Sequence, residues 1–371
     1  LFTGSTEVAR LLQRTLAGRL GADGRPVPLI AETGGQNALI VDSSALAEQA
    51  VADIVSSAFD SAGQRCSALR LLCVQDDVAD RIVTLLQGAV RELRIGDPRR
   101  LATDVGPVID EPARDGIERH VAAMRERGRR IWRAELPADA AGHFVAPTLI
   151  HIDRVAELQR EVFGPVLHLL RWRREQLPQL LEAINATGYG LTLGVHTRID
   201  ETIAQVVEQA HAGNIYVNRN MVGAVVGVQP FGGEGLSGTG PKAGGPMYLL
   251  RMLSRYPASA LASTLAPADA LRPCDDTQRR ALQATLKVLQ DWARSQQNKT
   301  LEQTCQRLAA TTPSGVLRSL PGPTGENNSY QILPRERVLC LATQDADLLT
   351  QLACVLATGG QALWPVQHQA L

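Results

Sequence analysis

The sequence predicts an α/β protein built on a parallel sheet, and two observations carry that prediction. From Leu167 to Asn218, apolar runs of strand length alternate with stretches of helical period, joined by turns such as Gly188–Leu191 and Gly213-Asn214. Earlier, the apolar run Ala38–Val41 is followed by a helical pattern from Ala45 to Phe59 and a second buried run from Leu69 to Val74. Regular alternation of this kind is how parallel strands with crossover helices read.

Taken in order, Phe2-Thr3-Gly4-Ser5-Thr6 precedes a helical pattern through Val8, Leu11, Leu12 and Leu16, with Ser5 or Thr6 as its cap. Gly18 to Pro28 reads as a surface loop or hairpin. Asp77 to Leu93 is an amphipathic helix capped by Asp76 or Asp77 and ended by Gly96-Asp97-Pro98. Asp110 to Arg130 is a highly charged helix, and His120, His143 and the arginines from Arg125 to Arg133 read as ordinary surface residues. Phe144 to Ile150 is a strand, Glu161–Val166 a turn, and Leu167–Trp172 a strand. Leu177–Ala186 is a helix, Thr192–His196 a strand, Glu201–Ala212 a helix and Ile215–Asn218 a strand. The glycine-rich Val222 to Gly245 is too long to be an idle connection. After an apolar segment, Tyr248 to Tyr256, composition shifts. Ala258 to Pro273 is linker-like, Thr277 to Leu308 helical, Leu320–Gly325 a loop, Arg337–Ala342 a strand and Asp345–Ala357 a helix.

The 371 residues carry 38 basic and 38 acidic side chains. That balance provides no long-range attraction to nucleic acid or to anionic membranes. A hydrophobic content of 44% supports a buried core, and no apolar run approaches the roughly 18–20 residues of a membrane span. Cys66, Cys73, Cys274, Cys305, Cys340 and Cys354 form no CxxC pair and no zinc-spaced set with histidine. The pattern predicts reduced thiols, a cytoplasmic setting and no metal site. The chain opens at Leu1 in mid-motif, so we expect a fragment of something longer.

Two clusters carry chemistry. Glu32 sits beside Gly34-Gly35, and Cys66 sits behind Gly63-Gln64-Arg65. The strand, helix and turn between them can fold a carboxylate base back beside a thiol nucleophile. Gly4-Ser5 at a helix start is a site where free N–H groups can meet an anion.

These residues resemble the aldehyde dehydrogenase superfamily. Glu-x-Gly-Gly at Glu32, Gly-Gln-x-Cys ending at Cys66, Phe-Thr-Gly-Ser-Thr from Phe2 to Thr6, Glu-x-Phe-Gly-Pro from Glu161 to Pro165 and Pro-Phe-Gly-Gly from Pro230 to Gly233 come in that family's order. Cys66-Ser67, Gly223–Gly227 and Gly235–Lys242 are similar to its glutamate-semialdehyde (Δ1-pyrroline-5-carboxylate) dehydrogenase branch. Gly18–Pro28 and the region after Pro257 resemble the C-terminal part of the bacterial proline utilisation A family, in which an FAD-dependent proline dehydrogenase comes first.

The resemblance implies NAD-dependent oxidation of L-glutamate γ-semialdehyde to L-glutamate. Cys66 would be the nucleophile and Glu32 the base for hydrolysis. Gly4 and Ser5 would approach the NAD pyrophosphate, Glu161 the nicotinamide-side ribose and Phe163 the nicotinamide. Ser67 and the N–H groups of Gly223 and Ala224 would take the substrate carboxylate, with Phe231 walling its aliphatic part. It also implies residues 1–33 as the end of a Rossmann-type NAD-binding domain and 34–240 as a catalytic α/β domain. Residues 241–257 would be a closing segment and oligomerisation flap, and 258–371 a linker plus an incomplete C-terminal α/β domain. FAD and DNA binding would belong to upstream parts, homo-oligomerisation and peripheral attachment to the inner membrane to the full-length protein. Two alternatives stay open: an aldehyde dehydrogenase of other substrate, and a non-catalytic scaffold piece.

One departure carries a prediction. The family's oxyanion-hole Asn and adenosine-ribose Lys lie upstream of Phe2, leaving the Cys66 N–H as oxyanion donor. Loss of one such donor typically costs about 10²–10³ in rate. The isolated 371-residue chain is therefore expected to form no NADH from glutamate semialdehyde, and robust NADH absorbance would refute this.

Overall fold

The computed structural model describes residues 1–22, 24, 27–138, 140–255, 257, 259–260, 271–272, 276–315 and 317–365. It divides into two compact units, Leu1–Arg251 and Met252–Leu371.

In the first unit, β1 (Phe2–Thr3) runs parallel to β2 (Ala31–Glu32), with helix α1 (Thr6–Ala17) between them. Ser5 is the cap of α1, its Oγ accepting from the Val8 N–H at 3.3 Å. No residue of α1 is buried, and Val8 and Leu11 are exposed.

The remaining strands of this unit are β3 (Ala38–Val41), β4 (Leu71–Gln75), β5 (Ile131–Arg133), β6 (Thr148–Ile152), β7 (Val166–Trp172), β8 (Tyr189–Gly190), β9 (Thr192–His196), β10 (Asn214–Val217) and β11 (Glu234–Gly235). Seven of them form the central sheet in the order β10-β9-β3-β4-β7-β6-β5. Every neighbouring pair is parallel except β5 with β6. β8 and β11 make a small antiparallel pair beside it.

The near-continuous apolar runs follow from burial on both faces. Ala38, Ile40, Leu71 and Cys73 point to one core layer with Val166 and Leu193. Leu39, Val41, Leu72 and Val74 point to the other with Leu167 and Leu169. Helices α2 (Ala47–Phe59) and α3 (Asp76–Arg91) cover the second layer. Helices α4 (Glu111–Glu126), α5 (Leu177–Asn185) and α6 (Asp200–Gln209) cover the first.

Three sequence expectations need correction. Neither Asp76 nor Asp77 caps α3: Gln75 occupies that position without a side-chain cap bond, and both aspartates sit in the first turn, where the helix dipole favours them. The charged helix ends at Glu126 and buries Ile117, Val121 and Met124. Part of the arginine-rich stretch is the edge strand β5. There Arg133 pairs with Glu118 at 2.6 Å, and just before the strand Arg129 pairs with Glu157 at 2.8 Å and with Asp153. An edge strand tolerates charge, so its composition did not announce it.

The second unit has its own small core. Helices α8 (Asp276–Ser295), α9 (Lys299–Thr311) and α10 (Asp345–Thr358) meet through Leu286, Ala293, Leu301, Cys305, Leu349 and Ala353; the short helix α7 (Tyr248–Met252) precedes them in the chain. Asn298 caps α9, its Oδ1 accepting from Leu301 N–H at 3.0 Å. Strands β12 (Leu271–Arg272), β13 (Leu317–Leu320) and β14 (Asn328–Gln331) are antiparallel, while β15 (Arg337–Leu339) and β16 (Gln361–Leu363) are parallel. Most of the linker expected at Ala258–Pro273 lies outside the described residues, as does part of the Gly18–Pro28 loop.

Candidate active site

The turn that presents Cys66 is built from backbone that most residues avoid. After α2 ends, Ser61 (φ 56°), Ala62 (φ 53°) and Gly63 (φ 66°) are consecutively left-handed. For Ser and Ala that conformation costs about 1–2 kcal/mol each. Strain of this size persists only where the surroundings fix it, and Asn37 is one of the fixing groups. Its Nδ2 donates to the carbonyls of Cys66 (2.7 Å) and Ala68 (2.8 Å), while its Oδ1 accepts from the Thr192 N–H (3.1 Å). Gln64 holds the outer side, accepting from the Ile109 N–H at 2.8 Å and donating to Pro107 O at 3.1 Å. Cys66 is half-buried. Burial pushes its thiol up, and the nearby Glu161 and Glu32 carboxylates push it the same way.

Glu32 ends β2 in a cradle of main chain. Its Oε2 accepts from the Gly233 N–H at 3.0 Å, and its Oε1 is buried with no hydrogen-bond partner among the described residues. A side chain at Gly238 would bring a Cβ within 2.9 Å of both oxygens, so only glycine leaves the carboxyl its place. Burial raises Glu32 to about 7, against the opposing pull of the Gly233 N–H and the Lys242 ammonium. Lys242 is itself lowered to about 8 by burial, and its Nζ donates to the Gly213 carbonyl. An unpartnered carboxyl oxygen on a group that titrates near neutrality is what a general base requires.

Glu161 is not a surface charge. Its Oε1 accepts from Arg70 Nη2 (3.0 Å) and Nε (3.2 Å), and its Oε2 accepts from the Gly35 N–H (3.2 Å). A Cβ on Gly34 would lie 1.9 Å from Oε2, which explains the first glycine of the Gly34-Gly35 pair. Phe163 is 44% exposed, so it is no core residue; the Arg70 guanidinium stands 5.2 Å from its ring centroid.

His120, expected at the surface, is half-buried against His168, with Nε2 to Nε2 at 2.9 Å. His168 Nδ1 lies 3.0 Å from the Arg70 carbonyl, which can only accept. Nδ1 therefore carries the proton, His168 Nε2 accepts, and His120 donates. Burial drops His168 to about 3, keeping it neutral.

Among the residues expected to bind substrate, Ser67 is buried and its carbonyl accepts from Thr192 Oγ1 at 3.3 Å. Gly223 is left-handed (φ 73°) and exposed, and neither its N–H nor that of Ala224 donates to another group among the described residues. Phe231 is fixed by a reciprocal pair of main-chain bonds with Ala243, 3.0 and 2.8 Å. Gly4 N–H donates to the Glu32 carbonyl at 3.1 Å, which places the start of α1 beside Glu32.

Sequence reasoning missed Arg70, Asn37, Lys242 and the histidine pair. Arg70 left a signal: it is a charge inside the run Leu69–Val74, which reads as fully buried.

A model of the aldehyde dehydrogenase family matches residues 1–255. Over 371 residues the chain is 62% identical to the "Bifunctional protein PutA" of Escherichia coli, a match that takes in 98% of this chain and 28% of that protein. A crystal structure of bifunctional proline utilization A superposes with a TM-score of 0.64 at 58% identity, covering 67% of this chain and 25% of that one. The 1-pyrroline-5-carboxylate dehydrogenase from Thermus with bound NAD superposes with a TM-score of 0.61 at 34% identity, covering 67% and 48%. The chain thus spans about a quarter of the length of its PutA relatives. Fold, motif order and site geometry agree with the family match: the chain belongs to the aldehyde dehydrogenase family.

Proposed function

We propose that this chain carries the catalytic residues for NAD-dependent oxidation of L-glutamate γ-semialdehyde to L-glutamate, within a cytoplasmic, bifunctional proline-degrading protein. The observation that carries the reading is Glu32, a carboxyl with one buried, unpartnered oxygen and a pKa of about 7, whose charge is felt at the Cys66 thiol.

The Cys66 sulfur adds to the aldehyde carbon, giving a thiohemiacetal on the enzyme. The thiol must lose its proton first. Its surroundings disfavour the thiolate, so the fraction that attacks is the one whose proton has passed to solvent. Glu161, Phe163 and the start of α1 at Ser5 would hold NAD, which supplies the hydride acceptor when bound. The resulting thioester is hydrolysed by a water that Glu32 deprotonates, releasing the new carboxylate and the thiol. The fit to NAD rests on the exposed Phe163 ring beside Glu161 and on the α1 start, where the Glu7 carboxylate is held below its usual range by its own N–H and by Ser5.

Substrate choice rests on the unengaged N–H groups of Gly223 and Ala224 beside Ser67 in the motif pattern. Hydrogen bonds to a charged group contribute about 1.5–3 kcal/mol. Combining Ser67→Ala with Ala224→Pro, which deletes one N–H, is expected to lower the preference for glutamate semialdehyde over propionaldehyde by roughly 10–100-fold. The kcat/KM ratio for the two aldehydes in the full-length protein measures it. An equal loss for both would point to another substrate class.

A further inference from the structure

Arg70 is the largest fully buried side chain in the first unit, and all five of its N–H donors are used. Nη1 donates to the carbonyls of Gly63 (2.7 Å) and Gly164 (3.2 Å). Nη2 donates to the Arg65 carbonyl (3.1 Å) and to Glu161 Oε1 (3.0 Å), and Nε to the same oxygen (3.2 Å). Gly63 and Arg65 belong to the turn that carries Cys66. Gly164 and Glu161 belong to the loop that carries Phe163. One guanidinium therefore joins the nucleophile turn to the cofactor-side loop, with its face over the Phe163 ring at 5.2 Å.

We propose that Arg70 is a positioning residue that holds the Glu161 carboxylate toward the cofactor and the Cys66 turn in one register, so that a single side chain governs both cofactor affinity and thiol presentation. The inference rests on the proposed contact of Glu161 with NAD. A planar fork suits the task, because it reaches four acceptors in different directions at once. A lysine ammonium has three donors and one point of charge, and cannot span both loops. The cation also opposes the burial that pushes the Glu161 carboxyl up; without it nothing but the Gly35 N–H would offset that burial. His168 Nδ1–H and the His168 N–H both donate to the Arg70 carbonyl, at 3.0 and 2.9 Å, which fixes the residue just ahead of β4 from which the guanidinium springs.

The test uses the full-length protein with Arg70→Lys, Arg70→Met, Glu161→Gln and the Arg70→Lys/Glu161→Gln pair. Each is checked for folding by its thermal transition. Glu161→Gln and Arg70→Lys are each expected to raise the KM for NAD at least fivefold. The pair is expected to lie within about twofold of the worse single change, because both act on one interaction. Arg70→Lys keeps the charges but loosens the turn and is expected to change the rate of Cys66 alkylation by iodoacetamide without NAD at least threefold, whereas Glu161→Gln keeps the turn's carbonyl contacts and removes a carboxylate that pushes the thiol up, so it is expected only to speed alkylation. Arg70→Met is expected to exceed Arg70→Lys in both readouts if it folds; if it does not, the lysine variant decides. If Glu161→Gln raises the KM for NAD but folded Arg70→Lys leaves it within twofold, the proposal fails and the Glu161 reading survives. If Glu161→Gln itself leaves that KM unchanged, both fall.

Discussion

Replacing Cys66 with alanine in the full-length protein is expected to lower NADH formation from glutamate semialdehyde by roughly 10⁴–10⁶-fold, the scale on which covalent enzymes lose their nucleophile. Stopped or continuous absorbance of NADH measures it, with NAD binding followed separately by thermal shift. The control is Cys73→Ala. Cys73 is buried in β4, facing a core layer, and burial alone pushes its thiol far out of reach of ionisation. That change removes one sulfur from the core and is expected to cost stability with turnover kept within a few-fold. Retention of even a tenth of the parent rate by the Cys66 variant would sink the nucleophile assignment.

Glu32→Gln is expected to separate the two halves of the reaction. Acylation would still yield up to one NADH per site as a rapid burst. Steady turnover would fall by about 10²–10⁴-fold, the usual contribution of a general base. The pH profile gives an independent readout. A base works deprotonated, so the parent's kcat is expected to rise with pH through about 7, where Glu32 titrates, and the glutamine variant to lose that limb. Stability runs the other way. Glu32 is raised in the folded state, so the native protein binds more protons than the unfolded chain between the ordinary carboxylate pKa and about 7. The contribution of this group is thus greatest at low pH and is lost as pH rises through about 7. Glu32→Gln should therefore raise the thermal midpoint at pH 8 relative to the parent, with little change at pH 5. A missing burst together with an unaltered pH profile would remove Glu32 from deacylation.

Much of the fold was legible because its strands are buried on both faces. The run Ala38–Val41 is wholly apolar, Thr192–His196 is apolar between a buried Thr192 and a buried His196, and both strands fall within the expected bounds. The motif residues were legible for a different reason: Gly34 and Gly238 are glycines because carboxylate oxygens occupy the space of a side chain. The edge strand β5 was hidden by the charge in and before it: Arg133 pairs with Glu118, and Arg129, two residues before the strand, pairs with Asp153 and Glu157. Arg70 and Asn37 were in plain view, but their partners are main-chain carbonyls. A carbonyl is present at every residue and leaves no trace in the letters. Lys242 was hidden likewise, since its place beside Glu32 depends on how the glycine-rich loop returns.

The cradle around Glu32 also sets an order of events during synthesis. Gly233, which donates to Glu32, is 201 residues further along. At bacterial elongation rates of about 5–20 residues per second, roughly 10–40 s separate the two at the ribosome. Strand β3 likewise waits for its neighbour β9, which follows four other strands of the sheet in the chain. Through that interval the nascent segment holds a thiol and a carboxyl in ordinary water, with ordinary acidities. The raised carboxyl comes into being only when the last loop closes over it, so an interrupted chain would hold an ordinary thiol and an ordinary carboxylate in place of the tuned pair.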